Sequence, residues 1–470
     1  MNAQQLKCQD NPVSFIQAAF NEKLWSYQKQ VVNSVRDFKV TAVKSSNGIG
    51  KSYCAARTAL WFLYSYPNSK VITTAPTFRQ VEDILWRELR NAKSKAIVPL
   101  TGRLNKTSLD LSEEWFAIGL STNEPDRFQG YHAEHILLVV DEAAGVDEQI
   151  FIASDGIVTS DGARVLYIGN PTNLGGTFYK SFRSEGVNKI TVSAFDTPNF
   201  TKFGITLNDI RNGTWQEKID DILPAPYLIT PEWVADKFTK WGEGTPMWSA
   251  RVLGEFPEQG EDTLIPLIYI EKAVNRILEP NPEDSEQIGA DIARFGVDKT
   301  VFMCRKGPKV IAVEEYSQGD TMKTAQDLHV FAGFHPAAQI YIDEIGVGAG
   351  ALDRLKQIEE KHLVQGVNVG MPSQDPEMFI NLRAEIYWAL RERFLEGNIQ
   401  IPNDDELMAQ LANIKFKYTN KGQIQIEAKE EMKKRGLPSP DKADSLSLAF
   451  GHFEGNQQAA NFLQGLGSWT

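Results

Sequence analysis

The stretch that decides the fold is Ser45-Ser46-Asn47-Gly48-Ile49-Gly50-Lys51-Ser52. It follows the apolar run Val40–Val43 and precedes a helical pattern over Tyr53–Tyr64. A strand, a glycine-containing turn and a helix in this order are typical of a phosphate-binding loop, whose pattern is G-x-x-x-x-G-K-[ST]. Ser45 stands where that pattern has its first glycine, and the remaining positions agree. The stretch therefore predicts a site for a nucleoside triphosphate.

Each part of this loop has an expected role in holding a triphosphate. Gly48 and Gly50 let the backbone curl, so that its N–H groups face phosphate oxygens. Lys51 can reach the β and γ phosphates, and the Ser52 hydroxyl can bind Mg²⁺. The N-terminus of the following helix adds a partial positive charge. The residues expected to contact ATP and its Mg²⁺ are Ser46, Asn47, Gly48, Ile49, Gly50, Lys51 and Ser52.

A second acidic motif supports this interpretation. The apolar run Ile136–Val140 ends in Asp141-Glu142, which is a Walker B pattern. We expect Asp141 to hold Mg²⁺ together with Ser52, and Glu142 to polarise the attacking water. An apolar strand that ends in two acids is common by itself, because acids often cap strands and helices. Its position downstream of a phosphate loop is what gives it weight.

Two further features fit nucleotide hydrolysis. Asn170, within Ile168–Thr172, follows another apolar run and can sense the γ-phosphate, coupling hydrolysis to movement. Upstream of the first strand, Trp25 can stack on a base and Gln28 can pair with the polar edge of adenine. Plain packing of an amphipathic helix explains Trp25 and Gln28 equally well.

The second half of the chain carries a different acidic pattern. Asp291 and Asp343 each end an apolar run, and Asp441 and Asp444 open a helical stretch further on. Acids at two strand ends and a helix start can converge on two Mg²⁺ or Mn²⁺ ions, which clamp the attacking and leaving oxygens in phosphodiester hydrolysis. Each acid alone is more often a cap or turn residue. Together they predict an RNase H-like nuclease site of Asp291, Asp343 and Asp444, with Asp441 as the alternative third ligand.

The apolar runs also predict the architecture. Short runs separated by helix-length segments favour a parallel sheet covered on both faces. We expect an α/β protein, with a P-loop ATPase domain built on a parallel-rich sheet and followed by an RNase H-like nuclease domain. The expected boundaries are an ATPase domain at 1–199, a helical subdomain and connector at 200–278, a linker at 279–286, a nuclease domain at 287–456 and a flexible tail at 457–470.

Composition narrows the class of protein. The 470 residues are 42% hydrophobic and 23% charged, as in a globular protein. The apolar runs are far shorter than a membrane span, the polar start argues against a signal peptide, and three scattered cysteines argue against a disulfide framework. A net charge of −12 is opposite to that of a basic DNA-binding module. Contact with nucleic acid would need a local patch, for which the lysine-rich segment 415–435 is the candidate.

These motifs together resemble the large terminase subunit of tailed bacteriophages, over about residues 24–455. The resemblance implies an ATPase that pumps DNA into a procapsid and a metal-dependent endonuclease that cuts concatemers. The segments that carry it are Trp25–Gln28, Ser46–Ser52, Arg127-Phe-Gln-Gly130, Leu138–Ala143, Ile168–Thr172, Gly254-Glu-Phe256, Gly289–Thr300, Tyr341–Gly350 and Pro438–Asp444.

The resemblance also assigns roles and partners. It makes Arg127 an arginine-finger candidate, which we expect to act on the nucleotide of a neighbouring subunit. A surface salt bridge with Glu124 or Asp126 is the alternative interpretation of Arg127. The implied partners are double-stranded DNA, a portal protein and a small terminase subunit, with a homo-oligomeric ring on the procapsid, in the host cytoplasm and away from membranes. Lys44 stands where many relatives have arginine. The remaining roles fall on Lys51, Ser52, Asp141 and Glu142 at ATP, on Asn170 in coupling, and on Asp291, Asp343 and Asp444 at metals.

Two other functions compete with this interpretation. A superfamily-2-like helicase without nuclease activity would share the phosphate loop and Asp141-Glu142. It needs a second motor domain with its own arginine motif, however, and the block after residue 287 carries acids instead. A non-catalytic DNA-binding scaffold conflicts with the acidic net charge and with the intact Gly50-Lys51-Ser52.

Overall fold

The computed structural model describes residues 9–453, apart from 122–124, 129, 259, 261, 294–297, 318–319 and 346–347. The chain divides into two compact units, Met1–Glu258 and Gln259–Thr470. This division comes earlier than the expected linker at 279–286. That segment is held within the second unit, where Leu278 N donates to Gln400 Oε1 (2.8 Å) and Gly307 N donates to Ser285 O (3.1 Å). The expected tail at 457–470 lies outside the described residues.

The first unit is built on one mixed sheet. Its strands are β1 (Val40–Ser45), β2 (Lys70–Thr74), β3 (Arg103–Leu104), β4 (Ser108–Ser112), β5 (Trp115–Gly119), β6 (His135–Asp141), β7 (Gly162–Gly169) and β8 (Val187–Val192). Their order is β3-β4-β5-β2-β6-β7-β1-β8. Neighbours from β5 to β8 pair in parallel, and β3 and β4 extend the β5 edge in antiparallel pairing.

The parallel part of this sheet confirms the prediction from the apolar runs. All five residues of β2 are buried, as are the last six of β6, because helices cover both faces. The predicted runs lie in β1, β2, β6, β7 and β8, with boundaries that differ by a few residues. The edge strands β3 to β5 were not predicted, since β4 has the mixed sequence SLDLS and is only partly buried.

The helices of the first unit connect these strands and continue after β8. They are α1 (Pro12–Phe20), α2 (Ser26–Asp37), α3 (Lys51–Ser65), α4 (Phe78–Gln80), α5 (Trp86–Ser94), α6 (Glu148–Asp155), α7 (Gly176–Ser181), α8 (Pro198–Thr201), α9 (Leu207–Asn212), α10 (Pro231–Trp241) and α11 (Pro246–Trp248). A π-helical segment, Val81–Leu85, joins α4 to α5, and another, Ser249–Leu253, follows α11.

The second unit has a five-stranded sheet of RNase H-like topology. Its strands are β9 (Glu286–Asp291), β10 (Lys299–Lys306), β11 (Lys309–Ser317), β12 (Ala338–Asp343) and β13 (Val364–Val367), in the order β11-β10-β9-β12-β13. The first three strands, β9 to β11, form an antiparallel meander in which β10 pairs with both neighbours. Strands β9, β12 and β13 are parallel to one another. A separate hairpin is formed by β14 (Phe416–Tyr418) and β15 (Ile424–Ile426).

One helix of this unit crosses the centre of the sheet. The helices are α12 (Leu267–Asn275), α13 (Thr321–Gly333), α14 (Gly348–Ile358), α15 (Leu382–Glu396), α16 (Asp405–Asn413), α17 (Lys429–Lys434) and α18 (Asp441–Phe450). Ser445 Oγ of α18 donates to Gly289 O of β9 (2.9 Å). A Cβ added at Gly289 would lie 2.2 Å from Ser445 O, so this glycine is what allows α18 to approach. Within the described ranges, no helix has the length and apolar character needed to cross a membrane.

Residues 251–255 pack against the phosphate loop of the first unit and the end of β1. Asn47 N donates to Arg251 O (2.9 Å), and Lys44 forms an ion pair with Glu255. Gly254 lies between these contacts with φ +68°. A Cβ added there would lie 2.5 Å from Val192 O and 2.8 Å from Ser45 Cα. Only glycine fits this position.

We therefore expect Gly254→Ala to destabilise the first unit through both backbone strain and a clash. Strain alone costs about 1–2 kcal/mol at positive φ, which is worth roughly 2–4 °C per kcal/mol in a unit of this size. The matched control is Gly213→Ala, because Gly213 has φ +74° and open space around it. Thermal unfolding should show a clearly larger fall in melting temperature for Gly254→Ala. Equal falls would contradict the close contact at Ser45.

Candidate functional sites

Lys51 begins α3 and points back into the loop that precedes it. Its Nζ donates to Ser46 O (3.2 Å) and to Asn170 Oδ1 (3.1 Å), and it lies 3.8 Å from Glu142 Oε1. The lysine side chain is buried, with 8% exposed. A buried ammonium needs such partners, because burial without them would cost several kcal/mol. Three residues predicted separately from the sequence thus meet at one cation.

The loop uses its first two amides within the protein. Ser46 N donates to Val192 O (2.9 Å) and Asn47 N donates to Arg251 O (2.9 Å). In this conformation these two amides are therefore engaged within the protein. The first amides of α3 have no partner within the helix, as at any helix N-terminus. Gly48 and Gly50 have the expected left-handed conformation, with φ +64° and +83°.

Asp141 ends β6 opposite the start of α3. Ser52 Oγ donates to Asp141 Oδ2 (2.8 Å), which brings together the two residues expected to hold Mg²⁺. Burial, with the neighbouring Glu142 charge, raises the pKa of Asp141 to about 6, against the opposing effects of Ser52 and Lys51. A divalent cation here would favour the ionised carboxylate.

Glu142 adopts a backbone conformation that is rare for a side chain of its size. Its φ is +47°, and its N–H donates to Asp141 Oδ1 (3.0 Å). A left-handed residue other than glycine stores strain of about 1–3 kcal/mol, and such strain is concentrated at functional sites. The turn sends the Glu142 carboxylate toward Asn170, whose N–H donates to Glu142 Oε2 (3.4 Å).

Asn170 reaches this position because β7 lies between β1 and β6. The residue follows β7, so it leaves the sheet between the phosphate loop and Asp141-Glu142. Its Nδ2 donates to Ser45 O (2.6 Å) while its Oδ1 accepts from Lys51. One carboxamide therefore connects the loop backbone to the loop lysine, as a group that senses the γ-phosphate needs to do.

Trp25 and Gln28, the two residues expected to contact the adenine base, have different surroundings. Gln28 is buried, and its Nε2 lies 3.0 Å from a Cβ added at Gly50, next to the loop. Its Oε1 accepts from Trp25 N (3.3 Å). The Trp25 ring packs against Tyr27, with ring centroids 5.1 Å apart. Gln28 is thus beside the loop, whereas the contacts of Trp25 are those of a packed side chain.

Arg127 lies on a short 3-10 helix, Pro125–Phe128, that precedes β6. Phe128 is fully buried in the core with Leu138 and Val140 of β6, whereas Arg127 is exposed. The buried neighbour anchors this segment against the sheet and leaves the guanidinium at the surface of the first unit.

The second unit gathers acids around one lysine. Lys429 Nζ lies 2.7 Å from Asp444 Oδ2 and 3.8 Å from Asp291 Oδ2. Asp291 leaves the end of β9 and Asp444 lies in the first turn of α18, which Gly289 allows to pack on β9. Tyr387 Oη also donates to Asp444 Oδ1 (2.6 Å). The ammonium therefore holds together two of the three carboxylates that were predicted to bind metal.

The charges of this cluster oppose one another. Burial raises the pKa of Asp291 well above its ordinary value, and the nearby carboxylates of Asp444, Asp441 and Asp343 add to the rise against Lys429. Burial also raises the pKa of Asp343. Burial has the same effect on Asp444, but Lys429 and Arg383 outweigh it, so the pKa of Asp444 is lowered. The site has more buried negative charge than one lysine compensates.

Asp441 is used differently from Asp444. Asp441 Oδ2 accepts from Lys299 N (2.7 Å), so this carboxylate supports the start of β10. The structure thus places Asp444, rather than Asp441, with Asp291 around Lys429. Oxygen ligands of this kind suit Mg²⁺ or Mn²⁺, and a divalent ion between Asp291 and Asp444 would have to displace the Lys429 ammonium.

The cations of the lysine-rich segment 415–435 are largely paired with carboxylates. Five of its cations lie within 4 Å of carboxylates: Lys415 at Asp262, Lys417 at Glu431, Lys429 at Asp444, Lys433 at Asp298 and Arg435 at Glu427. The central position of Lys429 and the support from Tyr387 and Arg383 could not be predicted from the sequence, because these contacts join residues that are far apart in the chain. The alternation of lysine with acidic residues in this segment was the sequence feature that could have indicated these ion pairs.

Known proteins resemble both parts of the chain. Residues 43–267 match the family model described as "Terminase large subunit, T4likevirus-type, N-terminal". The "Probable terminase, large subunit" of Enterobacteria phage P7 is 23% identical over 452 residues, which are 90% of this chain and 87% of that protein. Among solved structures, the large terminase of a thermophilic bacteriophage is 11% identical, with a TM-score of 0.42 over 91% of this chain and 98% of that one. The nuclease domain of the large terminase subunit of bacterial virus Sf6 is 21% identical, with a TM-score of 0.36 over 41% of this chain and 99% of that domain.

The family model covers the phosphate loop, Asp141-Glu142 and Asn170, and the relative from phage P7 extends over both compact units. The chain is therefore similar to terminase large subunits over most of its length.

Proposed function

We propose that this chain is the ATP-driven motor that moves viral double-stranded DNA into a procapsid and cuts concatemeric DNA with a two-metal nuclease. The observation that carries the proposal is the meeting of Asn170 and Glu142 at the buried cation Lys51, in a chain whose residues 43–267 match the terminase large subunit model. The portal protein, the small terminase subunit and a ring of copies on the procapsid belong to this proposal, as does a location in the host cytoplasm.

In the first unit, ATP would take over the partners that the loop now gives to its own groups. Lys51 Nζ would exchange Asn170 Oδ1 and Ser46 O for phosphate oxygens. Ser52 and Asp141 would hold Mg²⁺, which neutralises charge on the β and γ phosphates. Glu142 would orient the attacking water. Because Asn170 also binds Ser45 O, its release from Lys51 would carry the nucleotide state into the backbone of β1.

In the second unit, Asp291, Asp343 and Asp444 would hold two Mg²⁺ or Mn²⁺ ions. Such ions lower the pKa of bound water and stabilise both oxygens of an in-line displacement. The displaced Lys429 ammonium would stay near the cleaved backbone and balance its charge. A helicase is not favoured, because the second unit has the RNase H-like strand order rather than that of a second motor domain.

The first test concerns ATP hydrolysis. Lys51→Ala should lower the ATPase rate at least about 100-fold, because the β and γ phosphates lose their cation. Glu142→Gln should bind ATP within a fewfold of wild type but hydrolyse it very slowly, because water activation is lost while Lys51 remains. Lys29→Ala, at an exposed position of α2, is the matched control and should keep full activity. ATPase near the wild-type rate in both site variants would exclude this site.

The second test concerns DNA cleavage. Asp291→Ala and Asp343→Ala should each abolish Mn²⁺-dependent nicking of plasmid DNA while ATPase activity persists, because the two sites lie in separate compact units. Asp353→Ala, at an exposed position of α14, is the control and should cut normally. Asp444→Ala should abolish cutting and Asp441→Ala should weaken it less. The opposite order for the last pair would make Asp441 the third ligand.

The third test concerns Arg127 as a finger acting between subunits. An arginine finger is worth about 10³–10⁵ in rate, so Arg127→Ala alone should bind ATP and hydrolyse it poorly. Mixing it with Lys51→Ala under assembling conditions should restore activity, since each Lys51→Ala subunit supplies an intact Arg127 to a neighbour with an intact loop. A Lys51→Ala/Arg127→Ala double variant, mixed in the same way, should restore nothing. A verified assembly that stays inactive in both mixtures would rule out the role between subunits.

A further inference from the structure

An exposed tyrosine stands beside the phosphate loop on a firmly held segment. Tyr227 is 80% exposed, whereas Leu228 and Ile229, which follow it, are 5% and 6% exposed. Exposure of a large aromatic ring next to two buried residues is unusual in a loop that packs so closely. Tyr227 has no role in the site as described above.

The segment is attached directly to the loop. Ile229 N donates to Gly48 O (2.8 Å), and a Cβ added at Gly48 would lie 3.3 Å from Ile229 Cβ. Leu228 Cδ2 would lie 3.7 Å from a Cβ added at Gly50. Residues 228 and 229 therefore pack against Gly48 and Gly50 of the loop. Tyr227 is the residue immediately before them in the chain.

A fully buried asparagine fixes the backbone that presents Tyr227. Asn199 Nδ2 donates to Ala225 O (2.8 Å) and Ile229 O (3.0 Å), and its Oδ1 accepts from Ala225 N (3.0 Å). Bonds on both sides of Tyr227 hold the turn from 225 to 229 in one conformation. A ring on such a turn can meet a ligand at little cost in backbone entropy.

Tyr227 lies on the same side of the loop as Gln28, the residue expected to contact the adenine base. Gly50 has Gln28 Nε2, Leu228 Cδ2 and Tyr53 Cβ within 4 Å of an added Cβ. The amide suited to pairing with adenine and the segment of Tyr227 thus meet at the same glycine. Tyr53, two residues after Lys51, is close enough to Tyr227 for their hydroxyls to interact electrostatically.

We propose that Tyr227 stacks on the base of the nucleotide bound at the phosphate loop and so distinguishes a nucleotide from a bare polyphosphate. The inference rests on the ATP site proposed above and adds the group that recognises the base. An aromatic ring stacks on any base and favours none by hydrogen bonds. Gln28, beside Gly50, would supply the preference for adenine.

Calorimetric titration of the full chain with ADP and with inorganic pyrophosphate tests this assignment. Tyr227→Ala should weaken ADP binding about 10-fold and leave pyrophosphate binding within 2-fold of wild type. Tyr227→Trp should restore ADP binding, because stacking needs a ring and not the hydroxyl. Ile222→Ala, at an 81% exposed position of the same connection, is the matched control and should change neither affinity.

The outcomes are distinguishable. Unchanged ADP binding in Tyr227→Ala, equal loss of ADP and pyrophosphate binding, or no rescue by tryptophan would each overturn the stacking role while the ATP site stands. Failure of the wild-type chain to bind either ligand would overturn the ATP site and the stacking role with it.

Discussion

The position of strand β7 between β1 and β6 is the constraint on which the first unit depends. Because of this order, Asn170 leaves the sheet between the phosphate loop and Asp141-Glu142. Its carboxamide binds both Ser45 O and Lys51 Nζ, so one side chain connects the loop backbone to the loop lysine. If β7 were at another position in the sheet, Asn170 would not lie between the phosphate loop and Asp141-Glu142. Two backbone features also shape this site. Glu142 has a strained, left-handed conformation, and Gly254 packs closely against the backbone of Ser45.

Both units contain buried charged side chains that are compensated by groups of the protein itself. In the first unit the buried cation Lys51 is compensated by an amide oxygen, a carbonyl and a nearby carboxylate. In the second unit the buried acids Asp291 and Asp444 are compensated by the ammonium of Lys429. In the proposed mechanism, ATP and divalent metal would replace these partners. Ligand binding would then exchange partners rather than bury new charge, which would keep the desolvation cost low.

The sequence was sufficient for features that depend on local patterns. The runs within β1, β2, β6, β9 and β12 predicted the parallel strands, and the acids that end them predicted where polar groups would leave each sheet. Contacts between distant residues could not be read in this way. The use of the Ser46 amide by Val192, the insertion of Lys429 among the acids and the cover of Gly48 by Ile229 each depend on tertiary packing. Pro and acidic residues at 279–286 are typical of linkers, whereas here they lie within the second compact unit and lead into β9.

One measurement addresses both sites of this account at once. A crystal of the full chain, grown with a non-hydrolysable ATP analogue and Mn²⁺, can be measured by anomalous scattering at the manganese edge. The account predicts a manganese peak between Ser52 and Asp141 in the first unit, and peaks bounded by Asp291, Asp343 and Asp444 in the second, with Lys429 Nζ moved away from Asp444. Nucleotide elsewhere than at Lys51, or manganese peaks only outside these acids, would contradict it.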